Sequence, residues 1–218
     1  MSAMLRAAWD YVAANPDLFR EALSRHLVLS GLAVVIATSL AAPAGVLVSR
    51  SPRAARLAMS AADTVRTIPS LAILALTIPF LGIGFLPSLL ALTILGLPPI
   101  LTNTYVGLRQ VDADVVESAA GMGMTARQTM ARIQLPIATP LILAGVRTAA
   151  VQIVAGATLA AFIGGGGLGD FITTGIGMMQ VELLLVGAIP VAMLAIATEL
   201  VFGALERVVT PRGMRGPS

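Results

Sequence analysis

Residues 117–136 read ESAAGMGMTARQTMARIQLP. This stretch is polar and amphipathic in a chain that is otherwise apolar enough for a bilayer. Asp112, Asp114 and Glu117 open it, and acids near a helix N-terminus interact favourably with the helix dipole. Ala119, Ala120, Gly121 and Gly123 are small enough for another surface to approach the backbone. Met122, Met124, Met130 and Ile133 offer adaptable apolar contacts. Arg127 and Arg132 fall toward the end, and Pro136 is placed to stop the helix. A segment that repels lipid and is patterned this tightly reads as a short helix lying along the membrane and fitting a groove on a soluble partner.

The rest of the chain supplies the membrane. Of 218 residues, 57% are hydrophobic and only 11% charged, against about 25% charged in soluble domains. One soluble core would lack the polar residues to cover its surface, so the class is a polytopic membrane protein. There is no cysteine, which excludes disulfide and thiol chemistry. All fourteen basic residues are arginine. The net charge of +3 comes from few residues, and their placement says more than their sum, so nucleic-acid binding is not expected. Residues 1–25 mix Arg6, Asp10, Asp17, Arg20 and Glu21 with apolar positions and give no clean apolar run before a cleavage site.

A spanning helix needs roughly 20 apolar residues. Five segments qualify, at about 27–48, 57–81, 85–108, 137–163 and 183–205. The second opens with Asp63 and Arg66, so its apolar part is 68–81. Arg147 lies inside the fourth and Glu199 near the end of the fifth. Arg50, Arg53 and Arg56 follow span one, Arg109, Arg127 and Arg132 follow span three, and Arg207, Arg212 and Arg215 follow span five. The connections 82–87 and 164–182 hold no basic residue. The positive-inside rule then places the N-terminus outside, the C-terminus inside and the 109–136 loop in the cytoplasm. Asn15-Pro16 and Ser51-Pro52 pair good caps with proline at the first helical position. Residues 1–26 form a tail in which Leu18, Phe19, Ala22 and Leu23 make an apolar stripe. That stripe fits either a short interfacial helix or a plain extension of span one. Prolines 43, 69, 79, 98, 99, 140 and 190 fall within spans. They predict kinked helices packed around a shared path, because lipid leaves broken backbone bonds unsatisfied.

Residues 117–136 resemble the EAA loop of permease subunits of binding-protein-dependent ABC importers, EAA-x3-G-x9-I-x-LP. Glu117, Ala119, Gly123, Ile133, Leu135 and Pro136 fall on it in register, and Ser118 replaces an alanine. The segments RTIPSLAILAL (66–76), LPPILTNTYVGL (97–108), DADVVESAAGMGMT (112–125) and GVRTAAVQIVAGATLAAFIGGGGLGD (145–170) look like the osmoprotectant group, which carries glycine betaine, carnitine, choline or proline. The resemblance implies an all-α, five-span type I importer permease like that for methionine, in a bacterial inner membrane. It implies a second permease subunit, identical or paralogous, a cytoplasmic ATPase dimer receiving 117–136 in its clefts, and a separate external substrate-binding protein. ATP–Mg would sit on the ATPase, and this chain would bind no cofactor and catalyse nothing. Methionine permeases share the glycine run, so a methionine or other small-solute importer is the alternative. A channel or secondary transporter would be favoured by internal repeats of the span pattern, and none is visible.

Single residues remain open to more than one reading. Gly164, Gly165, Gly166, Gly167 and Gly169 lack the Lys-Ser/Thr of a phosphate loop. They read as an external segment that contacts the binding protein or gates the path, or as a close-packed turn. Asn103, Thr104 and Tyr105 form a polar cluster that would line the path, and the Tyr105 ring could meet a quaternary ammonium. Arg147 and Glu199 either serve the path or pair and snorkel locally. Asp63 and Arg66 are spaced to pair on one helix face. No aromatic cage can be assembled within the spans. His26, the one histidine, is expected at the outer interface, and no set of residues has metal-ligand spacing.

Overall fold

The computed structural model describes residues 2–209, so Arg212 and Arg215 lie outside the described part. The described helices are α1 (Ser2–Ala14), α2 (Pro16–Val48), α3 (Pro52–Thr67), α4 (Ser70–Leu81) and α5 (Phe85–Arg109), then α6 (Ala113–Gly121), α7 (Ala126–Thr129), α8 (Leu135–Gly156), α9 (Gly169–Met178) and α10 (Val181–Val209). A π-helical turn, Met130–Gln134, joins α7 to α8, and a 3-10 helix, Ala157–Ile163, continues α8.

Helix α2 runs unbroken for 33 residues, roughly 50 Å at 1.5 Å per residue. The apolar stripe after Pro16 is therefore the extension of the span and not a separate helix. Pro16 starts it because its fixed φ suits the first helical position and its missing N–H is not needed there. A distinct helix, α1, precedes it, and the Asn15 amide closes α1 by donating to Tyr11 O at 3.0 Å.

Residues 57–81 do not make one straight span. Ser51 caps α3 by accepting from Ala54 N. The helix stops at Thr67 because Ile68 precedes Pro69, and the proline ring drives Ile68 to extended backbone, φ −76° and ψ 125°. Helix α4 leaves at 99° to α3. Among the described residues, four helical segments are long and apolar enough to cross a membrane, Pro16–Val48, Phe85–Arg109, Ala126–Ile163 and Val181–Val209. The bent pair α3–α4 raises the number to five when counted as one span.

The expectation that Pro136 ends a helix is also corrected. The chain is helical from Ala126 through Ile163, and Pro136 sits in the first turn of α8. Its ring and missing N–H would disturb the Arg132 carbonyl in a regular α-helix. The wider π turn at Met130–Gln134 accommodates it.

The packing core is α5 clamped between α2 and α8. Leu29, Ala33, Ala37 and Ala41 recur every fourth residue on α2 and are all buried against Leu92 and Ile100 of α5 and Ile153 of α8. Lipid tails are as apolar as these side chains, so close packing of small residues holds the helices together where water exclusion cannot. Gly45 extends the stripe, and a Cβ there would lie 2.6 Å from Thr104 Cβ. A second cluster joins Ala8 of α1 to Phe171 of α9 and Leu183 and Val186 of α10.

Candidate functional site

At one end of the bundle, α6 is built to be held on one side and offered on the other. Asp112 caps it by accepting from Asp114 N at 2.9 Å. Ala119 is the inward anchor, 0% exposed, while Met122 stands 75% exposed. Glu117, Ser118, Ala120 and Gly121 are exposed around it. Gly123 adopts φ 83°. Its N–H donates to Ala120 O at 2.9 Å and Met124 N donates to Ala119 O at 3.1 Å. This pair of bonds is a Schellman cap, whose left-handed position favours glycine. A Cβ at Gly123 would meet nothing within 4 Å, so the glycine serves the backbone turn, and the side facing away from the chain is open.

Thr125 then restarts the helix. Its hydroxyl accepts from Gln128 N at 3.3 Å and its own N–H donates to the Gln128 carboxamide at 2.8 Å, a reciprocal capping box. Met130 is buried with Leu108 and Ala138, and Leu135 packs on the same cluster. Met130 therefore ties the loop to the bundle and offers nothing to a partner, unlike Met122. Ile133 is half-buried, and Pro136, Arg127 and Arg132 are exposed. Behind α6, a cavity of about 500 Å³ is lined by Arg50, Arg109, Glu117 and Gln134.

The neighbouring polar residues Asn103, Thr104 and Tyr105 face different helices. Successive helical positions point about 100° apart, and each of three neighbours meets a different helix. Asn103 donates to Pro99 O within α5 at 2.8 Å and packs beside Gly145 of α8. Thr104 is buried against Gly45 of α2. Tyr105 joins a shallow groove along α3 with Arg56, Ser60 and Asp63. Arg147 is half-buried and pairs across to α10. Its Nη1 lies 3.0 Å from Glu206 Oε2 and its Nε 3.6 Å from Glu199 Oε1. The local pairing with Glu199 is realised, and Glu206 was not foreseen. The two acids are seven positions apart, which places them on one face of α10. Asp63 and Arg66 form no ion pair with each other, and they line different grooves.

A groove of about 720 Å³ opens at the α3–α4 break. Arg66 and Ser70 line one side, Pro98 and Pro99 the back, and Thr148 and Gln152 of α8 the other side. The two prolines lack N–H groups, which leaves the carbonyls of Ile94 and Leu95 without their regular helical donors, and Leu95 also lines the groove. Gln152 is an exposed amide in the last turns of an apolar helix. Sequence reasoning passed over it, although a carboxamide at that depth is itself a signal.

The glycine run is packed. Gly165, Gly166, Gly167 and Gly169 are buried, and Gly164 is exposed with φ 73°. The run lies against α2, where Arg25 Nε donates to Gly165 O at 2.9 Å. Gly166, with φ 76°, leaves room for the Arg25 side chain, and a Cβ would lie 2.6 Å from Nε. His26 is enclosed by protein, 0% exposed, so its ring faces neither lipid nor water. Its Nε2 lies 3.0 Å from Val154 O. A carbonyl can only accept, so Nε2 carries the proton. The bond cross-links α2 to α8 just before α8 tightens into 3-10 form.

Comparison with known proteins agrees with this architecture. The family model described as "Binding-protein-dependent transport system inner membrane component" matches residues 32–212. The chain is 46% identical over 191 residues to the carnitine transport permease protein OpuCB of Listeria monocytogenes, covering 88% of each chain. It is 44% identical over 191 residues to the glycine betaine/carnitine/choline transport system permease protein OpuCB of Bacillus subtilis, again covering 88% of each. Among solved structures, an inward-facing conformation of the MetNI methionine ABC transporter superposes with a TM-score of 0.80 at 19% identity, covering 89% of this chain and 97% of that one. An amino acid ABC transporter crystallised with histidines gives 0.71 at 22% identity, covering 92% and 95%.

Proposed function

The chain belongs to the binding-protein-dependent transport system inner membrane components and is a multi-pass permease subunit of an ABC importer, and from that premise we propose that it carries a compatible solute of the glycine betaine, carnitine or choline kind. The proposed partners are a second permease subunit, a cytoplasmic ATPase dimer that hydrolyses ATP–Mg, and an external substrate-binding protein. Closure of the ATPase dimer moves α6, and the spans rock to alternate access to the groove at the α3–α4 break. Glu117, Ser118, Ala119, Gly123, Ile133, Leu135 and Pro136 form the coupling segment. Within it, Ala119 and Leu135 hold the chain and Met122 with its small neighbours docks.

The observation that carries this reading is α6 itself, capped at both ends, anchored by buried Ala119 and half-buried Val116 and exposed elsewhere. The groove supports a path. Its mixed lining suits weak contact with a small polar solute, and tight recognition belongs to the binding protein. Arg66, Thr148 and Gln152 take the place of Asn103, Tyr105 and Arg147 as proposed path residues. Identity to compatible-solute permeases over most of both chains supports that substrate class over methionine. Uptake of radiolabelled solute in cells lacking other osmoprotectant importers tests it. Glycine betaine, carnitine or choline should compete with the label and methionine should not. The reverse order overturns the substrate class.

A further inference from the structure

A cavity of about 350 Å³ lies between the start of α2, the glycine run and α9. It is at the end of the bundle opposite α6, since α2 begins here and ends beside the α6 cavity. Glu21, Arg25 and Asp170 line it. These are one cation and two acids, yet among the described residues no ion pair joins Arg25 to either acid. Arg25 is seated by the bond from its Nε to Gly165 O and by the space above Gly166, which leaves its terminal NH2 groups for other partners. Asp170 sits exposed in the first turn of α9, where partial burial of its carboxyl pushes it upward against the pull of the Arg25 charge. Tyr11 and Phe171 also line it, with ring centroids 6.1 Å apart in edge contact. The spans offer no aromatic cage. This ring pair comes instead from α1 and α9, outside them.

Separated, unpaired charges of opposite sign beside aromatic rings fit a ligand that itself carries both signs. We propose that this cavity binds a small zwitterion, with its ammonium group between Asp170, Glu21 and the Tyr11 ring and its anionic group at Arg25. A quaternary ammonium gains from the ring face and from the negative charge of a carboxylate without a hydrogen bond, and the guanidinium is a fork for a carboxylate or phosphate. Two sources share this chemistry, the free solute and a zwitterionic lipid headgroup. The solute arm rests on the proposed function, while the headgroup arm rests on the charge geometry alone.

The test uses the assembled permease–ATPase complex, without binding protein, in nanodiscs of phosphatidylglycerol, which has no ammonium. Radiolabelled glycine betaine is titrated at equilibrium. Phosphatidylcholine is then added and its retention read by native mass spectrometry. One of the two probes should bind wild type saturably, and Asp170→Asn and Arg25→Gln should each weaken it about tenfold, the scale of a lost coulombic partner for the quaternary ammonium at Asp170 and of a lost charged hydrogen bond at Arg25. Response of the betaine assigns the free solute, and response of the lipid assigns the headgroup. Arg25 also contacts the glycine run, so Tyr11→Leu, which keeps the apolar contact and removes the ring, serves as a third variant. Binding of neither probe, or binding that all three variants retain, overturns the site. Intact uptake beside a silent cavity removes only this inference. Absent uptake by wild type removes the proposed function and leaves the headgroup arm to stand by itself.

Discussion

Gly123 holds a φ of 83° in the cap that ends α6. An L-residue there costs about 1–2 kcal/mol, all of it backbone, because no neighbour lies within 4 Å of the added carbon. Gly123→Ala should lower the melting temperature of the assembled transporter slightly, measured by thermal shift, and reduce ATP-driven uptake far more. Equal small losses in both would reduce the residue to a structural role. Arg147 binds two acids of α10 from a half-buried position. Arg147→Met leaves both carboxylates without that partner and should destabilise by about 1–3 kcal/mol. Adding Glu206→Gln should recover part of that loss, read as coupling in a double-mutant cycle. Asp170 is exposed by surface area, and partial burial of its carboxyl raises its pKa, with Arg25 opposing. A raised carboxylate favours the folded state below the unfolded pKa, and that contribution is lost as pH rises through the folded pKa. Asp170→Asn should therefore melt no lower than wild type at neutral pH, with any advantage vanishing in acid. A variant that melts lower at neutral pH contradicts the desolvation account.

Among the elements, the α3–α4 pair is where sequence and structure part. Length and apolarity predicted a span, because lipid demands both. The 99° break follows from Ile68-Pro69, which was visible but indistinguishable from a mild kink, since neighbouring helices decide how far a freed helix end turns. Pro136 misled for the same reason. A proline ends a helix unless the preceding turn widens, and the π turn at Met130–Gln134 is set by packing of Met130 and Leu135 on α5 and α8. Helix α6 was legible because its motif is local. The groove was not, because Arg66, Pro98 and Gln152 come together only through the packing of three helices. Gln152→Leu should depress solute uptake while leaving ATPase activity of the complex intact, and unchanged uptake would remove Gln152 from the path. Pro69→Ala lets Ile68 return to helical backbone and should impair uptake without loss of assembly.

For the whole molecule, the arginines and α6 make a joint claim about sidedness. The chain has no cysteine, so single introduced cysteines report topology without background. Gln128→Cys should label only from the cytoplasm and Gln180→Cys only from outside. The opposite pattern would place α6 away from ATP. The central claim is that α6 transmits the work of ATP hydrolysis to a path through this bundle. It is tested most directly by uptake of glycine betaine into proteoliposomes holding the permease, its ATPase and the loaded binding protein. Wild type should accumulate solute only when ATP is supplied on the α6 side, and Gly123→Leu should assemble normally yet accumulate none. Accumulation without ATP, or undiminished accumulation by Gly123→Leu, would contradict the account.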